Sequence, residues 1–328
     1  FVPNPVFDRP SLLPLRDRLR SLVKTIPRYN TFGNIMFFGV GMYLCSGIQI
    51  GLFFDLAQWT VSGGEKTFVH TPDQYFQGLW IGLIAAGVVP AIIAFLIGYG
   101  VLGLRGHYFA ICTLGIGIAS GEIAGGIELI GAGQGMTAPP WPKGIGDTEY
   151  RNLFFYYVVL GLFIFTFVFV KWLYSTRFRL VLNAIRDNED KAEAMGIETM
   201  RYKITGWVIS AFFCGLAGGL VGNIVGYIEP VEVAFDGREM GVFMVLMTIL
   251  GGKGTMWGPI IGASLFHIFK ESFWSFFLGW QYIALGVLII LIVIYLPEGI
   301  MGYLREKKPE WFGEVIDEDD RKAQVTLD

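Results

Sequence analysis

Charge is scarce in this sequence. Asp, Glu, Lys and Arg together make up 16% of its 328 residues, against about a quarter in a soluble globular domain. A chain of this length with so few charges cannot clothe a water-exposed globule. Histidine is rarer still, with only His70, His107 and His267. They stand far apart, so no HExxH metal pair exists. Ser120 lies in GIASG, not in the GxSxG setting of a serine nucleophile. These gaps exclude the usual tools of an intramembrane enzyme, and no catalytic residue is assigned. The three cysteines, Cys45, Cys112 and Cys214, sit in apolar runs without CxxC spacing, which argues against a disulfide frame, a zinc site or any other metal site. The phosphate cradle GxxxxGK[ST] is missing as well. GGKGT at 251–255 surrounds one lysine with glycines but lacks that spacing. If ATP drives this protein, another polypeptide binds it.

Apolar residues and glycine fill the space that charge leaves. Hydrophobic residues make up 53% of the chain, and glycine occurs 44 times. Runs near the length needed to cross a bilayer, about 20 residues, occupy 33–54, 76–102, 107–126, 153–174, 204–227, 259–278 and 282–296. An eighth run, 240–250, is short for a crossing, so it recruits its neighbours or is a broken helix. The expected fold is all-α: a polytopic transmembrane helix bundle of about eight membrane segments. Glycines spaced by four let such helices approach closely. Three rows have this spacing: Gly117, Gly121 and Gly125; Gly218, Gly222 and Gly226; Gly254, Gly258 and Gly262.

One stretch breaks the pattern. Residues 175–203, STRFRLVLNAIRDNEDKAEAMGIETMRYK, are densely charged between two apolar runs. Asp187 or Asn188 can cap a helix with EDKAEAM as its body, and Gly196 follows as a stop. Leu180, Val181, Leu182, Ala184 and Ile185 give a preceding short helix an apolar side. A compact charged helical pair between two spans suits the gripping of a soluble partner. A solvated loop would account for the arginines alone. Lysine and arginine fix the expected orientation. With a cytoplasmic N-terminus, all 25 fall on the inside except Lys66, Lys143, Arg151, Arg238 and Lys270. Both termini and the charged segment are then cytoplasmic. Residues 1–32 form a basic lead-in, either an interfacial helix or a disordered arm. Residues 33–302 form the membrane domain, and 303–328 a charged tail.

Ionisable residues at membrane depth mark function by default. The candidates are Glu122, Glu128, Lys270 and Glu271. Lys270 and Glu271 are adjacent, so on a helix they point apart. Glu128 opens ELIGAGQGM, where Gly131, Gly133 and Gly135 break a helix. Unwound backbone within a membrane is tolerated only beside protein or a water-filled cavity. This makes 128–134 a candidate substrate path, with Thr113, Ser120, Glu122, Glu128 and Gln134 as its polar residues. The same residues also fit an external turn at the membrane interface.

Several motifs together resemble a known family. LRGHYFAICTLGIG (104–117) is similar to the signature LRGxYFAIxTLxFG of the permease subunits of branched-chain amino acid ABC importers. The charged segment resembles that family's SRFGRALxAIRDNExAAxAMGInxxxYK. SAFFCGLAGGL (210–220), GYIEP (226–230), LGGKGTMWGPIIGA (250–263) and LPEGIMG (296–302) follow in the family's order. The resemblance is to the second, M-type subunit. It implies one half of a heterodimeric channel in a bacterial or archaeal cytoplasmic membrane. A second permease subunit, two ATPase subunits and a periplasmic or extracellular solute-binding protein are the implied partners, along with the lipid bilayer. No nucleic acid is implied. No cofactor is implied in this chain, since ATP and Mg would be bound by the ATPases. By the same resemblance Arg177, Arg186, Asp187, Glu189, Asp190, Glu193, Ala194 and Gly196 would couple to those ATPases. The sequence departs from the family at PRYNTFGNIMFFG (27–39), at Ile118 where the family has glutamate, and at IGAGQG (130–135) in place of TGGxNG. The last two fall on the expected path, so urea and short amides join branched-chain amino acids as expected solutes. The competing reading is a self-contained secondary transporter or channel for a small neutral solute. It calls for inverted repeats and coupling-ion ligands, and the sequence offers neither.

Overall fold

The structure, a computed structural model, describes residues 33–53, 60–62, 65–67, 72–104, 106–142, 145–237, 241, 243–252, 256–276, 286–287 and 299–302. The lead-in 1–32, the tail 303–328 and nearly all of the 282–296 run lie outside the described residues. Helices dominate: α1 (Asn34–Phe53), α2 (Pro72–Val101), α3 (His107–Gly126), α4 (Thr148–Ser175), α5 (Arg177–Asp187), α6 (Glu189–Ala194), α7 (Thr199–Val225), α8 (Phe243–Gly251) and α9 (Gly258–Phe276). Four very short strands accompany them among the described residues. β1 (Thr60–Ser62) pairs antiparallel with β2 (Glu65–Thr67), and β3 (Met136–Thr137) with β4 (Tyr227–Ile228). Five described helices, α1, α2, α3, α4 and α7, are long and apolar enough to cross a membrane. The protein is a multi-pass membrane protein. The expected span at 259–278 is a helix, α9, but it is not among those five and carries Lys270 and Glu271. Within the short run at 240–250 the described helix is α8, nine residues long.

Two compact units divide the chain, one covering 29–245 and the other 1–28 with 246–328. In the first, α1, α2 and α7 pack backbone to backbone. A Cβ on Gly215 of α7 would stand 1.9 Å from the Ala86 oxygen of α2, and one on Gly218 would stand 2.0 Å from the Phe38 oxygen of α1. A Cβ on Gly41 would stand 2.2 Å from the Gly215 oxygen, and one on Gly82 of α2 would stand 2.7 Å from the Cys45 oxygen. Any side chain there would wedge the helices apart. Small residues at such contacts supply the van der Waals packing that holds helices together in lipid. Pro90, fully buried inside α2, lies with its ring against Gly215. It removes one rung of the α2 hydrogen-bond ladder.

The expected glycine rows fare unequally. Gly218 and Gly222 pack on Phe38 and Met42, whereas Gly226 caps α7 instead of packing. Gly117 and Gly121 are buried and Gly121 meets Phe235, but Gly125 faces open space. In the second unit, Gly258 and Gly262 do bring α9 onto α8: a Cβ on Gly262 would stand 1.8 Å from the Met247 oxygen. Gly254 lies outside the described residues.

Helix α4 differs from the core helices. Phe155 is its one buried residue among those described. Large apolar side chains such as Tyr156, Phe163, Ile164 and Val168 are exposed along its length. A helix apolar all round belongs in lipid or against another chain. Its first turns join a stack of rings: Tyr75, Phe76, Trp141, Phe154 and Phe155 have centroids 5.4–6.2 Å apart.

Candidate functional site

The charged segment folds as a capped helical hairpin. The Thr176 hydroxyl accepts from the Phe178 N–H at 3.3 Å and starts α5. Asn188, not Asp187, caps α6: its side-chain oxygen accepts from the Lys191 N–H at 3.1 Å. Gly196, at φ +82°, ends α6. Its N–H bonds to the Glu193 oxygen at 2.8 Å, and the Ile197 N–H bonds to Ala192 at 3.1 Å. This pair of bonds is the Schellman stop, which favours glycine at the left-handed position.

Burial sorts the hairpin residues into two faces. Ile185, Glu189 and Ala192 are buried. Arg177, Arg186, Asp190, Lys191, Glu193, Ala194, Met195 and Gly196 are exposed. Asp187 closes α5. Glu189 therefore faces inward and is not part of the exposed face its sequence neighbours form. It makes an ion pair with Lys203 of α7. Their side chains are 7% and 8% exposed. The Lys203 ammonium also donates to the Leu102 carbonyl oxygen, 3.3 Å away, in the turn that ends α2. Glu193 accepts from the Thr199 hydroxyl at 2.6 Å, at the first residue of α7. Two carboxylates of α6 thus bind the base of α7, and Lys203 also ties α7 to the end of α2. A helix end leaves its last carbonyls without partners, and a lysine donor reaching one of them meets that need. Phe178 and Tyr202 add a ring contact at 5.8 Å. Sequence reading missed Lys203 and Thr199 as partners because nothing in the spacing of charges says which of them turn inward.

The expected path residues do not converge. Helix α3 buries one stripe, Phe109, Thr113, Gly117, Gly121 and Ala124, and exposes Tyr108, Ile111, Ile118 and Glu122 on the other side. Thr113 is fully buried and donates to the Ala110 oxygen at 3.0 Å. The Ser120 hydroxyl donates to Ile116 at 2.7 Å. Both hydroxyls are engaged within their own helix, a common way to satisfy a polar group on an apolar span. Glu122, Glu128 and Gln134 are exposed.

Beyond Gly126 the chain makes two 3-10 turns, Glu128–Ile130 and Ala132–Gln134. The glycines do end the helix, as expected. Gly131 has φ +92°, and a Cβ there would stand 2.0 Å from the Gly135 oxygen. The turns are pinned to the end of α7, where Met136 pairs with Ile228 and Thr137 with Tyr227. The Tyr227 hydroxyl donates to the Gln134 oxygen. The hairpin and the glycine turns thus stand at opposite ends of α7, whose 27 residues span about 40 Å at 1.5 Å per residue.

Among the described residues no cluster of His, Cys, Asp and Glu could hold a metal. No solved structure matches this fold. Curated relatives do match. The LivM permease protein of the high-affinity branched-chain amino acid transport system of Escherichia coli is 28% identical over 80% of this chain and 68% of its own length. The probable LivM permease protein of Methanocaldococcus jannaschii is 29% identical over 67% of this chain and 68% of its own. The probable LivH permease protein of the same archaeon aligns over a shorter stretch, 29% identical over 43% of this chain and 48% of its own length. A sequence model of the family described as the permease component of the branched-chain amino acid transport system matches residues 31–296. That match takes in both the hairpin and the glycine turns, and with it the chain belongs to the branched-chain amino acid transport permease family.

Proposed function

We propose that the chain is one membrane half of an ATP-binding-cassette importer in a bacterial or archaeal cytoplasmic membrane. It translocates branched-chain amino acids or a similar small polar solute, such as urea or a short amide. Residues 33–302 form the permease domain, with about eight membrane segments. Residues 1–32, residues 303–328 and the α5–α6 hairpin lie on the cytoplasmic side. A LivH-like second permease completes the channel, and an external binding protein delivers solute. Two partner ATPases bind ATP and Mg and press on the exposed face of the hairpin. The path for solute runs along the α3 side of the chain, past Ser120 and Glu122 to the turns at Glu128 and Gln134.

The observation that carries this reading is the hairpin itself. A charged, doubly capped element, fastened by a buried ion pair to two long apolar helices, is built to receive force from a soluble partner. Family membership favours it over a self-contained transporter.

The test is reconstitution of the chain with a LivH-type partner, cognate ATPases and binding protein in liposomes. Leucine-loaded binding protein is expected to raise ATP hydrolysis and drive leucine uptake. Removal of 186–196 is expected to abolish both. Uptake that persists without the ATPases would overturn the reading. Orientation is checked separately with Met195→Cys, whose site is 81% exposed. Its labelling is expected only from the cytoplasmic side.

A further inference from the structure

Lys203 contacts three elements at once: α7, to which it belongs, α6 through Glu189, and the end of α2 through the Leu102 oxygen. The apolar grip of the hairpin is narrow by comparison, since Ile185 and Ala192 are its buried apolar residues, with Val181, Leu182 and Ala184 half-buried. A buried ion pair adds little stability over a well-packed apolar substitute, and its best-attested role is to fix one arrangement against its neighbours. Here the arrangement it fixes is the hairpin against the bases of two spans. Those two spans, α2 and α7, meet through the Ala86–Gly215 backbone contact, and both pack on α1. A displacement delivered at Lys203 therefore enters a core with no compliant side chains at its closest contacts.

Resting on the proposed role as an importer subunit, we infer that Lys203 is a positioning residue. With Glu189, it makes the hairpin, the base of α7 and the base of α2 move as one body, so that ATPase motion reaches the spans without slippage. The solute-binding surface and the ATPase-facing surface take no part in this. The residue acts through the joint alone.

The decisive measurement is solute taken up per ATP hydrolysed, in the full reconstituted complex. Lys203→Met alone takes the ion-pair cation from a buried carboxylate and can fail to fold. The double variant Glu189→Gln, Lys203→Met removes both charges of the pair together, so it decides the matter. It is expected to co-purify with the partner permease and ATPases. Its uptake per ATP is expected to fall about tenfold, an ordinary size for a coupling between sites. Unchanged uptake per ATP would overturn the inference. Loss of assembly would overturn it too, because the pair would then hold the fold instead of transmitting movement. A wild-type complex that shows no ATP-dependent uptake would sink the importer reading itself, and that outcome is distinguishable because it needs no variant.

Discussion

At its first turns α7 is held by side-chain charges: Lys203 on Glu189 and on the Leu102 oxygen, with Thr199 on Glu193. Just past its last turn it is held by backbone: the β3–β4 pair, and glycines at positive φ in the turns that lead into it. The first kind of joint depends on a few interchangeable groups and can be re-aimed by changing one of them. The second rests chiefly on backbone, with the Tyr227 hydroxyl on the Gln134 oxygen, and tolerates no extra atom at Gly131 or Gly135. A mechanical link to a separate machine suits the former, and a fixed edge suits the latter. The ring stack around Trp141 and the Tyr75 hydroxyl bond to Asn223, 3.3 Å, stiffen that second end further.

This contrast breaks most severely at Glu189. In Glu189→Ala the buried Lys203 ammonium loses its ion-pair carboxylate. Losing one member of a buried pair costs about 3–5 kcal/mol. Unfolding in mixed micelles should show that loss, and the neutral double variant should recover most of it. A double variant as unstable as the single one would show that the site needs charge and not merely shape.

The turn end breaks next. Gly131→Ala places a Cβ 2.0 Å from the Gly135 oxygen at φ +92°. Left-handed strain of about 1–2 kcal/mol adds to overpacking of about 1–3 kcal/mol. The expected signature is loss of the β3–β4 pair, read as faster amide exchange at the Ala138 N–H, which donates to the Gly226 oxygen. The hairpin end should remain protected in the same experiment.

Much of this architecture was legible beforehand. The run at 107–126 coincides with α3, because the glycines beyond it stop the helix sharply. Runs at 76–102 and 153–174 understate α2 and α4 at their starts, Pro72 and Thr148. Those helices begin in polar turns that carry Asp73 and Glu149, which a hydropathy window reads as loop. The caps of α6 could be read from Asn188 and Gly196 because capping is local chemistry. What could not be read was long-range and orientational. Glu189 and Glu193 look alike in the sequence, yet one is buried and the other exposed. Thr113 looked like a path residue on polarity alone, and the stripe from Phe109 to Ala124 turns it into the core.

Asn188 offers the mildest perturbation and the finest comparison. Its side chain caps α6 and is not a member of the ion pair, so changing it loosens the hairpin while leaving the Lys203 joint in place. Asn188→Ala removes the acceptor for the Lys191 N–H and should cost about 1 kcal/mol. Exchange at that amide should rise about fivefold, the Boltzmann equivalent of that loss. Asn188→Asp keeps an acceptor and puts negative charge at the helix start, where it is favoured, so exchange should stay near the wild-type rate. If the two ends of α7 are held independently, exchange in the Gly131–Gly135 turns is unchanged in both variants. A matching rise there would show that the hairpin and the turns are one cooperative unit, and that the division between ionic and backbone joints is one of chemistry only.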